Sequence, residues 1–236
     1  MKDFDYETID PGYYHRAMLY GNRVQKFWHT WKFALVAERI PNEKALVVDI
    51  GCGPGSFFYV LRKKNKNSSL IGTDLMLKQL EFAKTIVPDA HWFASDATKL
   101  PLKPGAISMF TMLELIEHLP IATEHEMLEQ IRKSLGPNGR IIITTPNYHS
   151  LWPLIEWVWN LFSPVSYKHQ HINKKTIKSL RESLESAGFR IKSVRTFFVI
   201  SPFVAVISPK FAEWLLRVEQ KLLPKLGASI IAEATA

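Results

Sequence analysis

Val47-Val48-Asp49-Ile50-Gly51-Cys52-Gly53-Pro54-Gly55 is an apolar run that ends in an acid and passes at once into a loop with glycine at alternate positions. The run is short, rich in β-branched residues and flanked by polar ones, which is the pattern of a buried parallel strand. Gly51, Gly53 and Gly55 let the backbone turn tightly and lie against a flat ligand with no Cβ in the way. Ser56 then opens a helical pattern carried by Phe57, Val60 and Leu61, and the first amides of such a helix can face a ligand. Strand, glycine loop and helix in that order predict a nucleotide-type cofactor site.

The spacing narrows the choice. A dinucleotide turn prefers G-x-G-x-x-G, whereas the last of those positions is Ser56 here and the spacing is G-x-G-x-G. Two more acids stand at the ends of the next two apolar runs. Asp74 closes Leu70-Ile71-Gly72-Thr73, where a carboxylate can accept both hydroxyls of a ribose, and Asp96 follows the run from Ala90 to Ala94. Successive strand ends thus bring Asp49, Asp74 and Asp96 to one edge of a sheet, the edge at which open α/β sheets bind ligands.

Strand patterns recur near 45–50, 68–73, 90–94, 106–112, 139–145, 189–199 and 229–234, with helical patterns between them. This alternation predicts a doubly wound α/β domain with a seven-stranded, mostly parallel sheet. Residues 1–42 read as a helical cap, 43–145 as the cofactor-binding core, and 172–199 with 227–236 as the rest of the core. A helix is expected over 173–187, with Asn173 as N-cap and Gly188 as stop. Segments 146–171 and 200–226 exceed the minimal fold, and such insertions usually choose the substrate.

At 236 residues the chain is long enough to bury a core without covalent staples. A single cysteine excludes an internal disulfide and suits a reducing compartment such as the cytoplasm. The start, Met1-Lys2-Asp3-Phe4-Asp5, does not read as a secretory signal, and no run of about 18 apolar residues predicts a membrane span. The net charge of +8 attracts phosphate groups of nucleic acid or lipid without choosing between them.

These motifs resemble those of class I S-adenosylmethionine-dependent methyltransferases, over roughly residues 28 to 199 and the last strand. The resemblance implies that Gly51, Gly53 and Gly55 pass under the methionine part of S-adenosylmethionine, that Asp74 binds the ribose, and that Asp96 with Ala97 sits by the adenine amine. Asp49, Cys52, Leu75 and Leu113 complete the expected cofactor wall. The family's Leu-x-Pro-x-Gly-Gly turn appears as Leu135-Gly136-Pro137-Asn138-Gly139, with Asn138 in place of a glycine. Asn tolerates a left-handed backbone, so the turn is expected to survive.

A second cluster, Leu113-Glu114-Leu115-Ile116-Glu117-His118-Leu119, follows the fourth strand. In one helical turn, Glu114, Glu117 and His118 would share a face and could hold a divalent cation. The alternative is a pair that caps the helix or positions substrate, with no metal. Glu-x-x-Glu-His followed by a distant histidine resembles the ubiquinone-biosynthesis O-methyltransferases and the small-RNA 3′-terminal 2′-O-methyltransferases. That resemblance implies Glu114, Glu117, His118 and His171 as ligands of Mg²⁺ or another divalent cation, with His169 as the second choice for the last. Catalysis is assigned to Glu117, His118 and His171, an imidazole serving as general base if no metal is present. Trp28-His29-Thr30-Trp31-Lys32-Phe33 stands where the quinone enzymes carry His-x-x-Asn-Pro-Leu-Arg. The resemblance gives Lys32 the cofactor's carboxylate, with Trp28 and Trp31 packing the cap. His15, His91, His125 and His149 are expected at the surface or in packing.

The insertions bear on the acceptor. Residues 151–162 are apolar almost all round and hold three tryptophans, while Phe211, Trp214, Leu215, Val218 and Leu222 form a stripe beside Lys210, Arg217, Lys221 and Lys225. Such a surface suits a peripheral membrane contact or a lid over a lipophilic substrate; mutual packing or a subunit contact is the alternative. The expected function is O-methylation of a lipophilic or ring-bearing small molecule. An RNA 2′-O-methyltransferase and a non-catalytic methyltransferase-like subunit are the competing readings, and nucleic acid is the less natural partner.

Overall fold

A computed structural model describes residues 9–41, 45–64, 67–162 and 170–236, with the backbone alone for 161–162. Among the described residues, seven strands form one sheet in the order β3-β2-β1-β4-β5-β7-β6. They are β1 (Leu46–Ile50), β2 (Ser69–Asp74), β3 (His91–Ala94), β4 (Ile107–Leu113), β5 (Leu135–Pro146), β6 (Arg190–Phe197) and β7 (Ser229–Thr235). The first five pair in parallel, and β7 runs antiparallel between β5 and β6. The order reverses at β1 and β4, so the carboxyl ends of the central strands open into a crevice.

Alternation along the strands builds a core on each face of the sheet. Val47 and Met109 point into one layer with Phe57, Phe58 and Leu61. Val48, Ile50, Phe110 and Met112 point into the other with Ile131, Leu180 and Leu184. The covering helices are α3 (Ser56–Lys63), α4 (Leu77–Ile86), α5 (Ile121–Ser134) and α7 (Ile177–Ser186). The N-terminal cap supplies α1 (Tyr13–Tyr20) and α2 (Arg23–Ala37). The insertions supply α6 (Trp152–Phe162), α8 (Ser201–Val204) and α9 (Pro209–Leu222).

Two details depart from the sequence reading. β5 starts at Leu135, because Leu135 already pairs with Ile107 before a bulge carries the register to Met109 and Arg140. Asn138 within it adopts φ 61°, as its substitution for glycine requires. Helix α7 begins after Thr176, whose side chain caps Ser179, and not after Asn173. Asn173 is buried and donates its amide to Glu124 Oε2 and the Ile116 carbonyl, so it is not available as a cap.

Candidate functional site

A cavity of about 410 Å³ opens at the carboxyl ends of β1, β2, β3 and β4, walled on its other side by Tyr14, Trp28, His29 and Lys32 from the helical cap. Asp49, Gly51, Cys52, Gly53, Asp74, Leu75, Asp96, Ala97 and Leu113 all line it. Gly53 has φ 49°, and a Cβ there would project into open space, so the loop leaves room beside its backbone. Gly55 stands behind the wall. Its φ is 72° and a Cβ would strike Trp92 and Ala83, so it serves the packing of the loop rather than the cavity surface.

The three acids differ in setting. Asp74 is held by backbone amides, accepting from Gly53 N at 2.8 Å and Met76 N at 2.9 Å, and its burial raises its pKa. Asp49 is deeper and accepts from the Thr111 hydroxyl at 2.6 Å; desolvation pushes it up to about 7 against that hydrogen bond. Asp96 is exposed and uses its side chain to cap Thr98, which holds its carboxyl below the ordinary value. Cys52 is buried, and its backbone N–H donates to the Thr73 carbonyl at 3.0 Å.

The same cavity is lined by Glu117, His118 and His171, which bring one ligand atom each within 4.8 Å of one another. Glu117 and His118 lie on a 3₁₀ turn, Ile116–His118. Glu117 is fully buried. Its Oε2 accepts from Thr145 at 2.8 Å, and its Oε1 has no hydrogen-bond partner among the described residues. Desolvation, then the Glu114 charge, hold its carboxyl well above the usual range. Burial, then His171, push His118 down to about 3, so its imidazole is neutral. A neutral ring lying 3.1 Å through Nδ1 from the Gln170 carbonyl must carry its proton on Nδ1. The segment bearing His171 is tied to the same turn, because Asn173 N donates to the Glu117 carbonyl at 3.0 Å.

Glu114 does not join that group. The chain leaves β4 through a left-handed residue at Glu114, φ 56°, so residues 114–118 do not form the single helical turn expected of them. Glu114 faces Lys32 instead, Nζ to Oε2 3.8 Å, and Oε1 has no hydrogen-bond partner among the described residues. His169 lies outside the described residues.

Residues 20–194 match the family described as Methyltransferase domain. The chain belongs to that family. A sphingolipid C9-methyltransferase of Gibberella zeae is 25% identical over 177 residues, 71% of this chain and 34% of its own length. A malonyl-[acyl-carrier protein] O-methyltransferase of a Marinomonas species is 24% identical, covering 81% of this chain and 66% of its own. A solved S-adenosylmethionine-dependent methyltransferase of Archaeoglobus fulgidus superposes with a TM-score of 0.64 at 20% identity, covering 98% of this chain and all of that one. The chain therefore spans about a third of the sphingolipid enzyme's length. Membership in the methyltransferase family implies S-adenosylmethionine as methyl donor. The cavity fits that group: the glycine loop leaves space, Asp74 is fixed at the strand end, and Lys32 offers a cation.

The methyltransferase-domain wall also contains His29, to which the sequence reading gave no role. His29 lines the cavity, and burial, then Lys32, bring it down to about 3. Its only signal was its place three residues before Lys32, on the same helical face. Trp28 lines the cavity and also packs on Phe198 and Trp152, with ring centroids 4.6 and 5.7 Å apart. Trp31 packs against Phe27 under the Arg217 guanidinium. Tyr148 and Glu156 contact His171 and were missed entirely. Glu156 is the one charged residue in the apolar stretch 151–162, which was a usable signal. His15 is a packing residue, buried with Nδ1 3.2 Å from Ser56 Oγ.

Proposed function

We propose that this chain methylates an oxygen of a lipophilic or ring-bearing small molecule, using S-adenosylmethionine, in the manner of the quinone O-methyltransferases it resembles. The observation that carries this reading is the convergence of Glu117, His118 and His171 on the cavity that the glycine loop and Asp74 also line. The cofactor supplies a sulfonium-bound, electrophilic methyl group. In this reading Asp74 accepts the ribose hydroxyls, Asp96 and Ala97 border the adenine, and Lys32 meets the carboxylate. His118 or His171 would accept the single proton of the acceptor hydroxyl as its oxygen takes the methyl group and the methyl–sulfur bond breaks, and the cavity wall aligns the pair for displacement.

A divalent cation fits the same cluster by its donor set. Glu117 Oε1 is buried without a hydrogen-bond partner among the described residues, and two imidazoles stand beside it. Glu117, His118 and His171 would hold it, and it would lower the pKa of the acceptor hydroxyl. Glu114 takes no part, being turned to Lys32.

The lipophilic acceptor is supported by the exposed apolar side chains around the insertions. Leu154 and Trp157 on α6, and Phe211 and Trp214 on α9, are each more than half exposed. No helix among the described residues is long and apolar enough to cross a membrane, so a peripheral contact is the form such an association would take.

Transfer of tritiated methyl from S-adenosylmethionine to a panel of phenols, lipid hydroxyls, carboxylic acids and amines tests this, with EDTA, Mg²⁺, Mn²⁺ and Zn²⁺ as separate arms. Label in phenols or lipid hydroxyls, lost in His171→Ala, is expected. Label confined to amines or carboxylic acids would overturn the reading, and activity indifferent to chelation would remove the metal from it.

A further inference from the structure

The insertion helix α6 delivers two side chains to His171. Trp152 tilts over the imidazole with ring centroids 6.2 Å apart. Glu156, one turn further on, places Oε1 3.0 Å from His171 Nδ1. Tyr148 closes the group, its hydroxyl 2.7 Å from Nδ1, 2.9 Å from Glu156 Oε2 and 3.1 Å from Oε1. Glu156 and His171 are both buried.

The proton positions follow from donor and acceptor counting. A carboxylate oxygen brings only lone pairs, so an approach of 3.0 Å to an imidazole nitrogen needs a proton between them. Tyr148 has one hydroxyl proton. That proton turns to the carboxylate, whose oxygens lie 2.9 and 3.1 Å away. The Tyr148 oxygen is then an acceptor, and Nδ1 is the donor to both neighbours.

We propose that Glu156 is a positioning residue that fixes His171 as the tautomer protonated at Nδ1, so that its lone pair resides on Nε2. The proposal rests on the reading of His171 as part of the acceptor-binding wall, and it deepens that reading. Both chemistries open to His171, taking a hydroxyl proton or ligating a cation, need a ring lone pair, and a hydrogen bond at the other nitrogen decides which atom carries it. His118 is fixed in the same tautomer by the Gln170 carbonyl, so the two rings offer matching Nε2 atoms. The carboxylate rides on the segment that also carries the exposed Leu154 and Trp157, so any displacement of α6 is felt at Nδ1.

Nitrogen-15 NMR of the histidine-labelled full chain tests this, the His171 resonances being assigned by their loss in His171→Gln. Wild type is expected to show a proton-coupled Nδ1 and a pyridine-type, uncoupled Nε2. Glu156→Leu removes the acceptor and frees the Tyr148 hydroxyl to donate to Nδ1, so the pattern is expected to invert. Tyr148→Phe leaves the carboxylate in place and is expected to keep the wild-type pattern. A wild-type ring protonated at Nε2, or a Glu156→Leu ring unchanged from wild type, would overturn the proposal. If Glu156→Leu fails to fold, the wild-type and Tyr148→Phe spectra decide alone, with loss of the pattern in Tyr148→Phe counting against it. S-adenosylhomocysteine binding to the same samples separates the two levels. A wrong tautomer with intact binding defeats the role of Glu156, whereas a correct tautomer with no binding defeats the methyl-transfer reading.

Discussion

Lys32 Nζ lies 3.8 Å from Glu114 Oε2 at the cavity wall, joining the helical cap to the end of β4. The lysine is buried, and Glu114 keeps a second oxygen with no hydrogen-bond partner among the described residues. A cation lining the same cavity as the glycine loop is suited to the cofactor's carboxylate. Lys32→Met is expected to weaken S-adenosylhomocysteine binding roughly tenfold or more, since a hydrogen bond to a charged group contributes about 1.5–3 kcal/mol. Calorimetric titration measures it, and unchanged affinity would confine the pair to a structural role.

Asp49 gives the fold a definite dependence on pH. Burial lifts its carboxyl to about 7, against the Thr111 hydrogen bond. Between about pH 4 and that value the native state holds a proton that the unfolded chain has released. Its contribution to stability is therefore full below the unfolded pKa and is lost as pH rises through about 7. Asp49→Asn keeps the Thr111 contact and removes the titration. Its stability relative to wild type, read from urea midpoints of the ligand-free protein, should improve from pH 5 to pH 8; a constant difference would contradict the assignment.

Lys175 and Glu124 form a buried pair, Nζ 2.6 and 2.7 Å from the two carboxylate oxygens, with Asn173 also on Glu124. This network ties the His171 segment to α5 and to the turn bearing Glu117. Lys175→Met strands a buried carboxylate and is expected to cost about 3 kcal/mol, read from chemical denaturation. A loss within experimental error would mean that the pair is solvated.

How far the sequence could be read depended on how local each signal was. Gly51, Gly53, Asp74 and Asp96 were legible because each strand end and its loop are contiguous in the chain, and the α/β alternation fixed their common edge. Glu117 and His118 came from their spacing, the family resemblance singled out His171, and only folding shows their distance. Glu114 was misplaced because helical spacing assumed an ordinary φ, whereas the turn out of β4 is left-handed there. Asn173 has the chemistry of a cap, but a buried partnership with Glu124 claimed it. Glu156 and Tyr148 meet His171 across 15 and 23 residues of insertion, with no periodicity to announce the contact.

The apolar side chains of α8 and α9 carry a prediction about surfaces. Phe203, Ile207, Phe211 and Trp214 are exposed, and Lys210, Lys221 and Lys225 are exposed in the same part of the chain. Binding to vesicles containing phosphatidylglycerol is expected to survive high salt, whereas phosphate-driven binding to RNA would fall steeply. Replacing Phe211 and Trp214 together by Ser should weaken vesicle binding roughly tenfold, from the apolar area removed. Loss of vesicle binding on raising salt, with the double variant unaffected, would argue against insertion of these rings.

Calorimetric titration of S-adenosylhomocysteine into the wild-type chain and into Asp74→Ala bears most directly on the cofactor site at the ends of β1, β2 and β3. One site per chain, weakened at least tenfold in the variant through loss of the ribose contact, is the expected result. No binding to the wild type, or binding indifferent to Asp74, would contradict it.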